Sequence, residues 1–181
     1  MGRPIRLYVS SSPDLAPERE ALGRAVAALP VPLGWEIYHT PLVGEPEEDF
    51  LSFVASCDLF VVLLGADFAA PMGNEWQEAR RHRRLMLTFS KQVARSPSAQ
   101  WAFYQKGVEW EPFTSPAELE RLLIRRLART LLDIGERLDL HLPDVEGLLA
   151  LLAEESEEEK EPEEPDRRSG AGRSGIILGK R

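Results

Sequence analysis

Apolar residues along this chain fall into short runs that alternate with stretches of helical spacing. The first run, IRLYVS at 5–10, reads as a strand. In 13–29, Leu15, Arg19, Leu22, Val26 and Leu29 recur at helical intervals. Ser12 suits the N-cap, Pro13 the first helical position, and Pro30 and Pro32 stop the helix. A second strand is expected at 33–38 and a second helix at 45–57. That helix has Phe50, Phe53 and Val54 on one face, and Glu47, Glu48 and Asp49 early, where the helix dipole favours acids. The run DLFVVLL at 58–64 is apolar on successive residues, so both its faces are buried, as in a central parallel strand. A loop at 65–73 leads to a short helix at 74–83 with Asn74 as N-cap, then to a fourth strand, LMLTF, at 85–89. The segment 91–105 has no clear period, and 107–113 reads as a fifth, edge strand. Ser115, Pro116, Ala117 and Glu118 form a capping box that opens a long helix to about residue 134. A last helix is expected at 143–153.

Strands alternating with helices imply a parallel sheet covered on both faces. The size fits a flavodoxin-like α/β three-layer sandwich of about five strands, order 2-1-3-4-5. Ligands of such sheets bind beyond the carboxyl ends of the strands, where the order reverses between strands one and three. That geometry selects two loops, Ser10–Pro13 after strand one and Gly65–Glu75 after strand three.

Composition adds a boundary. The 181 residues carry 22 Lys and Arg against 30 Asp and Glu, a formal charge of -8. Residues 154–166 (EESEEEKEPEEPD) hold nine acids and one Lys, while 167–181 hold five bases. The segment after 153 has almost no apolar residues besides Ile176, Ile177 and Leu178, so it cannot offset its ordering entropy by burial. One folded domain is therefore expected at 1–153, followed by a disordered acidic, then basic, linker at 154–181. The acidic total argues against a general nucleic-acid binder, although Arg80, Arg81, Arg83 and Arg84, and Arg121, Arg125 and Arg129, make two Arg-rich faces. Cys57 stands alone and His39, His82 and His141 lie far apart, so no metal-ligand spacing is visible. No signal sequence is recognisable, and the longest apolar run, 59–66, is too short to span a membrane. A soluble, cytoplasmic protein is expected, with no membrane partner.

The chemistry concentrates at Glu75, expected in the first turn of the helix that follows the central strand. A carboxylate there can attack a sugar C1 or stabilise an oxocarbenium-like transition state; it also simply suits a helix start. Ser10, Ser11 and Ser12 offer hydroxyls and backbone N–H groups for a phosphate or ribose, or serve as cap and turn residues. Trp76 either stacks on a base or packs in the core. Asp67 either meets a ribose hydroxyl or makes an Asx-turn.

Three stretches together, RLYVSSSPDLAPERE, EEDFLSFVASCDLFVVLLG and GNEWQEARRHRRLMLTF, resemble the TIR-like superfamily. The likeness is to a TIR-like family found at the N-termini of bacterial NACHT- and other STAND-type proteins. It rests on Ser10 and Ser11, Asp14 and Leu15, Glu18 and Arg19, Cys57 and Asp58, Gly65, and Glu75 with Ala79, and spans residues 4 to 134. It implies a flavodoxin-like fold and a signalling or effector module that works by self-association within a larger assembly. It also implies that Glu75 matches the glutamate with which catalytic TIR domains cleave the nicotinamide bond of NAD, here a substrate and not a bound cofactor. Two other activities stay open. One is a non-catalytic interaction domain; the other is a nucleoside deoxyribosyltransferase-like enzyme, whose nucleophilic glutamate sits in a similar context.

Overall fold

A computed structural model describes residues 3–41, 50–68, 70–138 and 140–158, the side chains of 155–158 excepted. Five parallel strands form one sheet in the order β2-β1-β3-β4-β5. They are β1 (Ile5–Ser11), β2 (Trp35–His39), β3 (Leu59–Leu64), β4 (Leu85–Lys91) and β5 (Glu111–Phe113). The helices are α1 (Ala16–Ala28), α2 (Phe50–Ser56), α3 (Ala70–Arg81), α4 (Pro97–Phe103), α5 (Pro116–Asp133) and α6 (Leu142–Glu158). The flavodoxin-like α/β sandwich and its strand order are those expected.

The period of two along β1 divides the core. Leu7 and Val9 face α1, α5 and α6, joining Leu22, Leu123, Leu127 and Leu148. Tyr8 faces α2, α3 and α4, joining Phe53, Phe60, Trp76 and Ala99. All six residues of β3 are buried, because both of its faces are covered and both of its edges paired.

Several boundaries differ from expectation. The first helix is split into a 3-10 turn at Pro13–Leu15 and α1, whose second residue, Pro17, has no N–H to continue a ladder from the preceding turn. Ser12 precedes that turn but makes no capping bond; its hydroxyl donates to Asp14 instead. The third helix begins at Ala70, not after Asn74, because Pro71 fits a first turn, where a missing N–H costs nothing. Asn74 is therefore an interior residue, and Glu75 stands in the second turn. The segment without a clear period contains α4, capped by Ser96, whose Oγ accepts from Ala99 N–H at 3.2 Å. The capping box forms, with Ser115 Oγ accepting from Glu118 N–H at 3.2 Å. Glu118 reaches back one residue further than the standard box, to the N–H and hydroxyl of Thr114. The last helix continues to Glu158, five residues into the stretch expected to be linker. The expected start of the second helix at 45 and the linker from 159 onward lie outside the described residues.

Among the described residues, no helix is long and apolar enough to cross a membrane, and no cluster of His, Cys, Asp and Glu is placed to hold a metal ion. The Arg-rich stretch after α3 is used locally. Arg83 adopts φ 51°, and Arg84 donates to the carbonyls of His82 and Cys57. On α5, Arg125 and Arg126 both pair with Glu111.

Candidate active site

The buried face of α3 is Met72, Glu75, Trp76 and Ala79, a helical stripe in which an acid occupies a core position. Glu75 is 0% exposed. A carboxylate so placed is costly unless hydrogen-bonded, and three hydroxyls meet it. Tyr8 Oη donates to Oε1 at 2.9 Å. Ser10 Oγ donates to Oε2 at 2.5 Å, and Thr40 Oγ1 donates to the same oxygen at 2.9 Å.

Each donor is placed by the sheet. Tyr8 and Ser10 stand two apart on β1 and so share the face under α3. Thr40 follows β2; its N–H donates to Val9 O at 3.0 Å, extending the β1–β2 pairing by one step. Its Oγ1 also accepts from Ser11 N–H at 3.0 Å, which orients its own proton toward Glu75. Tyr8 is held from behind by Phe60, ring centroids 5.7 Å apart and nearly parallel. The carboxylate thus spans the ends of β1 and β2, beside the place where the strand order reverses.

Two influences compete at Glu75. Burial is the larger and raises its pKa above the ordinary carboxylate value, while the hydroxyls of Ser10, Tyr8 and Thr40 pull it back. Burial also drives the Tyr8 phenol strongly upward, helped by the negative charge of Glu75, so Tyr8 remains a protonated donor.

The residues expected to form the site are not all gathered there. Ser10 touches Glu75. Ser11 points to the other face of the sheet, where its Oγ accepts from Arg19 at 3.3 Å, and the Ser12 carbonyl accepts from the same Arg19 nitrogen at 3.0 Å. An anion cradle needs free donors, yet the Ser11 N–H is bonded to Thr40 and the Ser12 hydroxyl to Asp14. Asp67 accepts from Ser96 Oγ at 2.6 Å and Ser98 Oγ at 2.8 Å, which lowers its pKa and ties the end of β3 to the start of α4. Trp76 is 2% exposed, stacks on Trp110 with centroids 5.9 Å apart, and meets Phe68 edge-on. Its ring is core rather than a platform for a base.

Neither Tyr8 nor Thr40 stands out in the sequence as a site residue. A signal for Tyr8 exists, since it shares the period of Ser10. Thr40 has none at that level, being 35 residues from the acid it contacts. No model of a known family matches the chain, and no curated protein matches it.

Proposed function

We propose that this chain is a TIR-like signalling or effector module that cleaves the N-glycosidic bond of NAD or a related nucleotide, with Glu75 as the reacting carboxylate. One observation carries the reading: Glu75 is a buried carboxylate at the carboxyl end of the sheet, oriented through both oxygens by Tyr8, Ser10 and Thr40. In the proposed step the bond between the ribose C1 and the nicotinamide nitrogen breaks. Its electron pair goes to the ring, which carried a positive charge and leaves neutral. Glu75 meets the cationic sugar carbon, by attack or electrostatically. Water then adds at C1 and loses a proton to solvent, giving ADP-ribose.

Such a leaving group needs no acid. The three groups bonded to Glu75 are hydroxyls, and Tyr8 is held as an unreactive phenol, so none is tuned to protonate a departing base. A neutral nucleoside base does need that proton, which favours NAD over the deoxyribosyltransferase reading. Of the three donors, Tyr8 and Ser10 are fully buried and Thr40 is half-buried, so a sugar would approach from the Thr40 side. The same reading puts the protein in the cytoplasm, acting by self-association among other domains or proteins of a bacterial defence or signalling assembly.

A second reading has its own support. Glu75 is wholly shielded and fully hydrogen-bonded, which is also what a structural carboxylate in a non-catalytic interaction domain requires. The test is incubation of concentrated protein with NAD, or with a pair of free nucleosides. Nicotinamide release that Glu75→Ala abolishes supports the proposal. An assembled wild-type protein that releases none supports the interaction domain, and base exchange between nucleosides supports the transferase.

A further inference from the structure

Helix α6 is apolar on two sides, and the fold covers only one of them. Toward the core it presents Leu148, fully buried, with Leu151 packed against the same cluster. Gly147 lies on that side too, where an added Cβ would meet Pro30. At 3.6 residues per turn, Leu142, Val145 and Leu149 fall on a different side, at i, i+3 and i+7. Leu142 is 71% exposed and Leu149 53%, and Val145 is half-buried. Among the described residues, none of the three belongs to either core cluster. Their spacing is that of the seam along which one helix packs on another.

The charge of α6 specifies the kind of helix that fits. Leu142–Glu158 contains six acids and no base. Asp144, in the first turn, suits the positive end of the helix dipole. Glu154, Glu155, Glu157 and Glu158 stand instead toward the negative end, where the dipole favours cations, and the last turn holds no basic residue. Glu146 flanks the exposed stripe, four residues after Leu142 and three before Leu149. A second copy of α6 would bring acids against acids. A helix with cations beside its apolar seam would meet both the stripe and the uncompensated negative end.

We propose that the outer side of α6 docks a cationic amphipathic helix of a partner protein, its apolar seam on Leu142, Val145 and Leu149 and its Lys or Arg flanks toward Glu146 and the acidic end of α6. This surface is independent of the chemistry at Glu75. The experiment titrates a dye-labelled three-heptad peptide, with Leu at a and d and Lys elsewhere, into the full chain and follows fluorescence anisotropy. The same peptide with Glu in place of Lys is the comparison, and sedimentation gives the stoichiometry. Wild type should bind one Lys peptide per chain, at least tenfold more tightly than the Glu peptide, and more weakly as salt rises. Leu142→Ser/Leu149→Ser should keep the wild-type melting temperature and weaken the Lys peptide at least tenfold, which charge attraction alone would not do. Glu146→Gln/Glu154→Gln should weaken it and flatten its salt dependence. No binding by wild type, unchanged binding by the Leu142→Ser/Leu149→Ser variant, or equal binding of the two peptides would overturn the proposal. So would a lower melting temperature of that variant, or a wild-type dimer that it makes monomeric.

Discussion

Replacing Tyr8 by Phe isolates one bond in the Glu75 network. The substitution keeps the ring that stacks on Phe60 and removes only the hydroxyl that donates to Oε1 at 2.9 Å. A hydrogen bond to a charged group contributes about 1.5–3 kcal/mol, and one to a neutral group about 0.5–1.5 kcal/mol. The loss should therefore depend on whether Glu75 is ionised. Its pKa is raised in the folded protein, chiefly by burial. Relative to a fully ionised reference, a raised pKa contributes stability that is complete below the unfolded value and is lost as pH rises through the folded value. Removing a donor raises the folded pKa further and deepens that loss. Urea unfolding of wild type and Tyr8→Phe should accordingly differ by about 1 kcal/mol near pH 4 and about 2–3 kcal/mol near pH 8, with unchanged m. The difference at the higher pH corresponds to a melting shift of about 2–4 °C per kcal/mol. Equal destabilisation at both pH values, or none at either, would refute an ionised Glu75 held by Tyr8.

Two further outcomes follow from packing. Gly65 directly follows the central strand, where an added Cβ would lie 3.0 Å from Asp14 Oδ2 and 3.1 Å from the fully buried Leu15, so Gly65→Ala should cost about 1–3 kcal/mol in chemical denaturation. A cost near zero would mean that the strand-to-turn junction is looser than these distances. Cys57 is fully buried and its thiol is pushed up to about 11 by burial, so a thiol reagent at neutral pH should label it only after denaturation. Rapid labelling of the native protein would contradict that placement.

The alternation of apolar runs made the sheet legible, because a fully covered strand such as β3 must be apolar on both faces and its flanking helices must carry one apolar stripe each. The Ser115 capping box was legible for a similar reason, being a local device complete within four residues. Glu75 could be found because topology, rather than local chemistry, points to the end of the central strand. Its partners are another matter. Tyr8 and Thr40 lie 67 and 35 residues away in the chain, and only the strand order 2-1-3 brings them together. The start of α3 at Ala70 is hidden in the sequence because Pro71 and Gly73 resemble loop residues, although a proline in the first turn is compatible with a helix. Counted from Ala70, Glu75 is an acid in the apolar stripe of Met72, Trp76 and Ala79. Trp76 and Asp67 were ambiguous for a physical reason. A tryptophan beside a carboxylate and an aspartate after a strand look alike in sequence whether they face a ligand, a core or a helix cap.

The central claim is that Glu75 breaks a glycosidic bond. Chromatographic measurement of nicotinamide and ADP-ribose, at a protein concentration where light scattering shows assembly, tests it most directly. Wild type should form the two products in equal amounts, and Glu75→Gln, which keeps the size and most hydrogen bonds of the side chain, should slow release by about a hundredfold or more. No release by the assembled wild type, or equal rates from the two proteins, would contradict the claim.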